Sequence, residues 1–153
     1  MDINSVIGSA VIAAFVSAAC SAFTAMIVAK RTAFINTVTS ERVKWIQKVR
    51  ENVSRFVGLT HTWLRSEEDE AKRQALTEEI DVLRYHIKLQ MNPESTLDMA
   101  IIEKIDKIPN LASRPGDIFP VHQAMDELIE ATQKMLKEEW EKVKGEAKRG
   151  DLA

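Results

Sequence analysis

The residues able to do chemistry in this chain are cations interleaved with aromatic rings. Arg42, Lys44, Lys48, Arg50 and Arg55 stand around Trp45, Phe56 and Trp63. Guanidinium and ammonium groups pair with phosphates, and indole planes stack on bases, so Arg42, Lys44, Trp45, Lys48, Arg50 and Arg55 form a candidate site for an anionic ligand, a nucleotide or oligonucleotide. The bland alternative is that cations close to a membrane contact anionic headgroups, while the rings fill a core. Both readings stay open on residues alone. The three histidines, His61, His86 and His122, lie on separate segments without ligand spacing, so they read as surface or boundary residues with no metal or cofactor expected. The chain has no phosphate-cradling glycine loop and no nucleophile elbow, and its many carboxylates recur at i, i+3 and i+4, as on solvated helix faces. No enzyme is expected.

A second set of residues sits where water is not expected. Ile3 to Ala29 is 27 residues without a charge. As a helix it extends about 40 Å, enough to cross a hydrocarbon layer of about 30 Å with some tilt. A secretory signal would carry a basic start and a shorter apolar run, whereas this one begins with Asp2. A lipoprotein signal fits poorly too, because Ser17-Ala18-Ala19-Cys20 has Ser where a large aliphatic residue belongs. Lys30 and Arg31 follow at once, so the positive-inside rule predicts a single pass with the N-terminus outside and the rest in the cytoplasm.

Wound at about 100° per residue, this segment has two faces. Ser9, Ala13, Ser17, Cys20, Ser21 and Thr24 share one arc; Val11, Ile12, Phe15, Val16, Phe23, Met26 and Ile27 occupy another. Small and hydroxyl-bearing residues let helix backbones approach and bond across an interface. That arc is therefore a candidate pore lining or homo-oligomer interface, and the alternative is an alanine-rich lipid anchor. Cys20 is the only cysteine, which excludes an intrachain disulfide and suits a reducing compartment.

Charge divides the remainder. Residues 30–65 hold eight basic residues against two acids, Glu41 and Glu51, within an overall charge of -2. The chain beyond Ser66 is correspondingly acidic.

The elements that must carry these residues are helices. Ile35, Val38, Ile46, Val49, Val53, Phe56 and Trp63 recur at helical spacing without proline. The pattern leaves open whether this helix continues the membrane segment or restarts at a Thr39 or Ser40 cap. A helix to about Gln90 buries Leu76, Ile80, Leu83 and Ile87. Asn92 caps a third, with Pro93 in its first position, burying Leu97, Ile101, Ile105 and Ile108. Pro109 to Pro120 is the longest break. A last helix buries Met125, Leu128, Thr132, Met135, Leu136, Trp140 and Val143, and Gly145 and Gly150 end it. The expected fold is all-α, a transmembrane helix over residues 1–30 followed by a cytoplasmic helical bundle over 31–150.

Thr39-Ser40-Glu41-Arg42-Val43-Lys44-Trp45-Ile46, with Val49-Arg50 and the later Ile87-Lys88-Leu89-Gln90-Met91-Asn92-Pro93, resembles a family of small bacterial membrane-anchored helical proteins that read TSER-x-x-WI early and I-x-L-x-x-NP later. The match covers about half of the chain. In size and layout the chain is also similar to the membrane effectors of the Hailong anti-phage defence system. That resemblance implies an oligomeric ion channel in the bacterial inner membrane. A partner nucleotidyltransferase would supply short oligodeoxynucleotides, strands of deoxyadenylate, that hold it closed until infection. No motif carries ligand-binding positions from that group onto this chain, so the site residues above rest on their own chemistry. A membrane-tethered scaffold without a pore remains the competing reading.

Overall fold

The computed structural model describes the backbone of residues 3–66, 70–113 and 116–149, and side chains from residue 15 onward within those ranges. Four helices follow one another, α1 (Ile3–Leu64), α2 (Glu70–Gln90), α3 (Thr96–Ala112) and α4 (Phe119–Arg149), with no strand among the described residues. The all-helical expectation holds.

α1 runs unbroken for 62 residues, about 93 Å. It is long and apolar enough near its N-terminus to cross a membrane. No new helix starts at Thr39 or Ser40, since the backbone stays helical throughout. Gly58 does not interrupt it either; its cost of about 1 kcal/mol against alanine is small beside the burial of its neighbours.

The packed half of the molecule is a four-helix bundle. α1 packs on α2 and α4, α3 packs on α4, and α2 touches α3 more lightly. Trp63 donates from Nε1 to Thr77 Oγ1 at 3.0 Å, and Asn52 donates from Nδ2 to Gln90 Oε1 at 3.1 Å, so α2 runs antiparallel to α1. α4 does the same, with His61 beside His122 at one end and Arg42 on Glu146 at the other. Val49, Phe56, Ile87, Ile101, Ile105, Ile108, Met125 and Leu128 form the sealed centre. These eight stand at periodic positions predicted from sequence; of the other predicted positions, Val38, Trp63, Leu76, Ile80 and Leu97 are only half-buried and Trp140 is 44% exposed.

Three boundaries differ from expectation. Ser95, not Asn92, caps α3, its hydroxyl accepting from Asp98 N at 3.3 Å. Asn92 instead makes an Asx turn, its Oδ1 accepting from Glu94 N at 3.0 Å, which holds Pro93 in the turn before the helix. Pro109 lies inside α3 rather than starting a break; in the last turn it forfeits a single backbone bond, and the helix continues to Ala112. α4 passes through Gly145 to Arg149 because Val143 and Glu146 on either side are buried. Gly150 lies outside the described residues.

Candidate functional site

The two sequence blocks that carry the family resemblance meet at the end of the bundle where α1 enters from its apolar half. Trp45 on α1 donates from Nε1 to the carbonyl of Gln90 at 3.1 Å, tying α1 to the C-terminus of α2. Just beyond, Asp98 accepts from Asn92 N at 2.8 Å and from Ser95 Oγ at 2.9 Å. Asp98 is thus buried with its oxygens satisfied. On the other side, one Arg42 nitrogen lies 2.7 Å from each oxygen of Glu146. Glu146 is 1% exposed, so its charge is stabilised by a charge-assisted pair and not by water. A cleft of about 510 Å³ opens among these groups, with Arg42, Trp45, Asn92, Asp98, Glu139 and Lys142 on its walls. Lys142 is held above the usual ammonium range, chiefly by its hydrogen bond to Glu139.

The structure does not gather the six anion-site residues into one cluster. Arg42 and Trp45 face inward as described. Lys44, Lys48 and Arg55 share an exposed stripe with Glu41 and Glu51, and each has a carboxylate partner: Lys44 on Glu41 at 2.6 Å, Lys48 on Glu51 at 3.4 Å, and Arg55 on Glu79 of α2. Arg50 is different. It donates to the neutral Oε1 of Gln47 at 2.9 Å and has no carboxylate partner among the described residues, at the edge of a groove between α1 and α4. That groove, of about 600 Å³, has Val53, Thr132 and Leu136 at its floor, with Arg50, Lys137 and Trp140 along its margin.

Of the residues on the small-residue arc, Ser9 and Ala13 have side chains outside the described residues. Ser17, Cys20, Ser21 and Thr24 are exposed together on one side of α1. Thr24 Oγ1 donates to the Cys20 carbonyl at 2.9 Å, the usual way a hydroxyl within a helix satisfies itself on the preceding turn. Continuing the same helical phase of about 100° per residue brings this arc into line with Arg42, Ile46, Val49 and Val53, the positions on which the bundle packs. The bundle therefore stands over the small-residue side of α1, and the exposed charged stripe continues the opposite side.

Sequence spacing missed one pair. His61 and His122, 61 residues apart on α1 and α4, meet edge to face with ring centroids 4.7 Å apart. Desolvation, then the charges of His122 and Arg65, lower the pKa of His61, and Asp126 opposes them. Only the antiparallel pairing of α1 with α4 could reveal this contact. Glu146 was missed as well, since nothing in its local sequence distinguishes a core carboxylate from its solvated neighbours. No group of three metal-ligating side chains occurs among the described residues.

Comparison with protein-family models, with curated proteins and with solved structures gives no match.

Proposed function

We propose that this chain is an oligomeric membrane effector of a bacterial anti-phage defence system, in which α1 contributes to a gated pore and the bundle receives the controlling signal in the cytoplasm. One observation carries the reading: a single uninterrupted helix is apolar and exposed at one end and forms core at the other. A rigid helix passes rotation or tilt from the bundle into the membrane without a hinge to absorb it. The alignment of the Ser17–Thr24 arc with the bundle face supports the coupling. Protomers that associate through the arc bring their bundles toward a common axis, and the packing of the bundles then limits how closely the membrane helices approach. The family resemblance supports control by a nucleotide or short oligodeoxynucleotide, and Lys30 and Arg31 support cytoplasmic placement of the bundle.

The test is ion flux from liposomes holding the full chain. Flux is expected, and Ser17→Leu or Ser21→Leu should abolish it while leaving insertion intact. Absence of conductance with and without added oligodeoxynucleotide would refute the pore.

A membrane-tethered scaffold is favoured by two particulars: the pairing of Lys44, Lys48 and Arg55 within the chain, and the closure of the Thr24 hydroxyl on its own backbone. Replacing residues 1–29 with an unrelated single span separates the readings. A scaffold survives the exchange and a pore does not.

A further inference from the structure

α2 presents to solvent an apolar stripe that no other helix covers among the described residues. Val82, Tyr85 and Leu89 recur at i, i+3 and i+7 on one face and are 53%, 55% and 85% exposed. Leucine at that exposure, in line with a valine and a tyrosine, is a contiguous apolar strip and not a scattered surface residue. The groove between α1 and α4 is its counterpart in shape, with an apolar floor at Val53 and Leu136 and a half-exposed indole, Trp140, beside it.

Position and charge connect the two surfaces. The hydrogen bonds Asn52–Gln90 and Trp63–Thr77 fix the level of α2 against α1. By that register Val82–Leu89 stands within about one turn of the height of Arg50–Val57, the α1 wall of the groove. Since α1 lies between α2 and α4 in the bundle, stripe and groove look out from different sides of the molecule. The groove margin is cationic: Arg50 bonds only the neutral Gln47 among the described residues, and Lys137 lies across from it. At the stripe, Arg84 lies over the Tyr85 ring and is balanced by Asp81, and Glu78, one turn from Val82 and held by the neutral amide of Gln74, leaves the net charge negative. Groove against groove would set cations on cations, and stripe against stripe would face Glu78 with itself. Stripe against groove joins unlike charges and covers both apolar surfaces.

We infer that the α2 stripe of one copy of this chain docks in the α1–α4 groove of the next, a head-to-tail contact between parallel bundles. Surfaces at one height, repeated by rotation about an axis along the bundle, close into a ring rather than climbing into a filament. This names the assembling surface of the oligomer proposed above and rests on that reading for the shared orientation of the copies.

The experiment uses full-length chain in native membranes with Cys20→Ala as background. Ser54→Cys places a thiol at the groove and His86→Cys places one beside the stripe, leaving Val82, Tyr85 and Leu89 intact. With a short bis-maleimide, the double variant should give a ladder of linked species, and co-expressed single variants should give dimer only. Each single variant alone should stay monomeric. Adding Leu89→Asp should reduce the ladder at least tenfold with the bundle's thermal melt unchanged. Linkage of either single variant to itself, a double variant that stays monomeric, or a ladder indifferent to Leu89→Asp would each overturn the contact. A ladder without ion flux upholds the contact and removes the pore, whereas flux without a ladder does the reverse.

Discussion

Phe23 and Phe56 lie on the same helix nine turns apart, yet Phe23 is 62% exposed and Phe56 is sealed. The half of α1 around Phe23 has no charge between Ile3 and Ala29, and its apolar residues surround the helix except for the small-residue arc. The half around Phe56 confines them to one side and puts Lys44, Lys48, Glu51 and Arg55 on the other. A one-sided stripe is completed by other helices in water; a helix apolar nearly all round needs lipid or protein about it on every side. Both patterns are written into one uninterrupted element, so the boundary between them is a change in side chains and not a change in backbone.

The largest break in this comparison comes from truncating the two phenylalanines. Phe56→Ala should cost the bundle about 4 kcal/mol through the cavity it leaves, read as a lowered denaturant midpoint in detergent. Phe23→Ala should leave that midpoint unchanged; an equal loss would mean that the apolar half packs against the bundle.

Next is the junction. Arg42→Ala takes the guanidinium away from the buried Glu146 carboxylate and should cost about 3 kcal/mol, while Arg42→Ala with Glu146→Leu should recover most of the loss. Failure of the double variant to recover would place the role of Arg42 elsewhere. Trp45→Phe, which removes only the bond to the Gln90 carbonyl, should cost about 1 kcal/mol in the same assay.

The smallest effect is at the opposite end of the bundle. The folded state holds His61 below its ordinary pKa of 6.5, so the unfolded chain takes up the proton first as pH falls. The contribution of His61 to stability is therefore complete above pH 6.5 and declines below it. Denaturant midpoints compared at about pH 7.5 and 5.5 should fall on the acid side, less so in His61→Gln. An unchanged slope in that variant would assign the pH response to another group.

Much of the fold was legible because helix period and turn residues act locally: Ile101, Ile105 and Ile108, or Leu83 and Ile87, face inward where their spacing puts them. Continuity of α1 past Thr39 and Ser40 was not legible, because cap residues inside a helix look the same as caps at its start. The candidate site was legible in its residue types and not in its grouping. Arg42 and Lys44 are two residues apart yet point to opposite sides, one onto a core carboxylate from α4 and the other onto Glu41 in solvent. Partners 104 residues away, as Glu146 is from Arg42, leave no trace in local spacing.

The claim beneath all of this is that residues 3–29 reside in lipid. Membranes from cells producing the full chain, washed with alkaline carbonate and then high salt, test it most directly. The chain should stay with the membrane through both washes and leave only with detergent. Release by either wash, or a monodisperse chain in detergent-free buffer, would contradict the account.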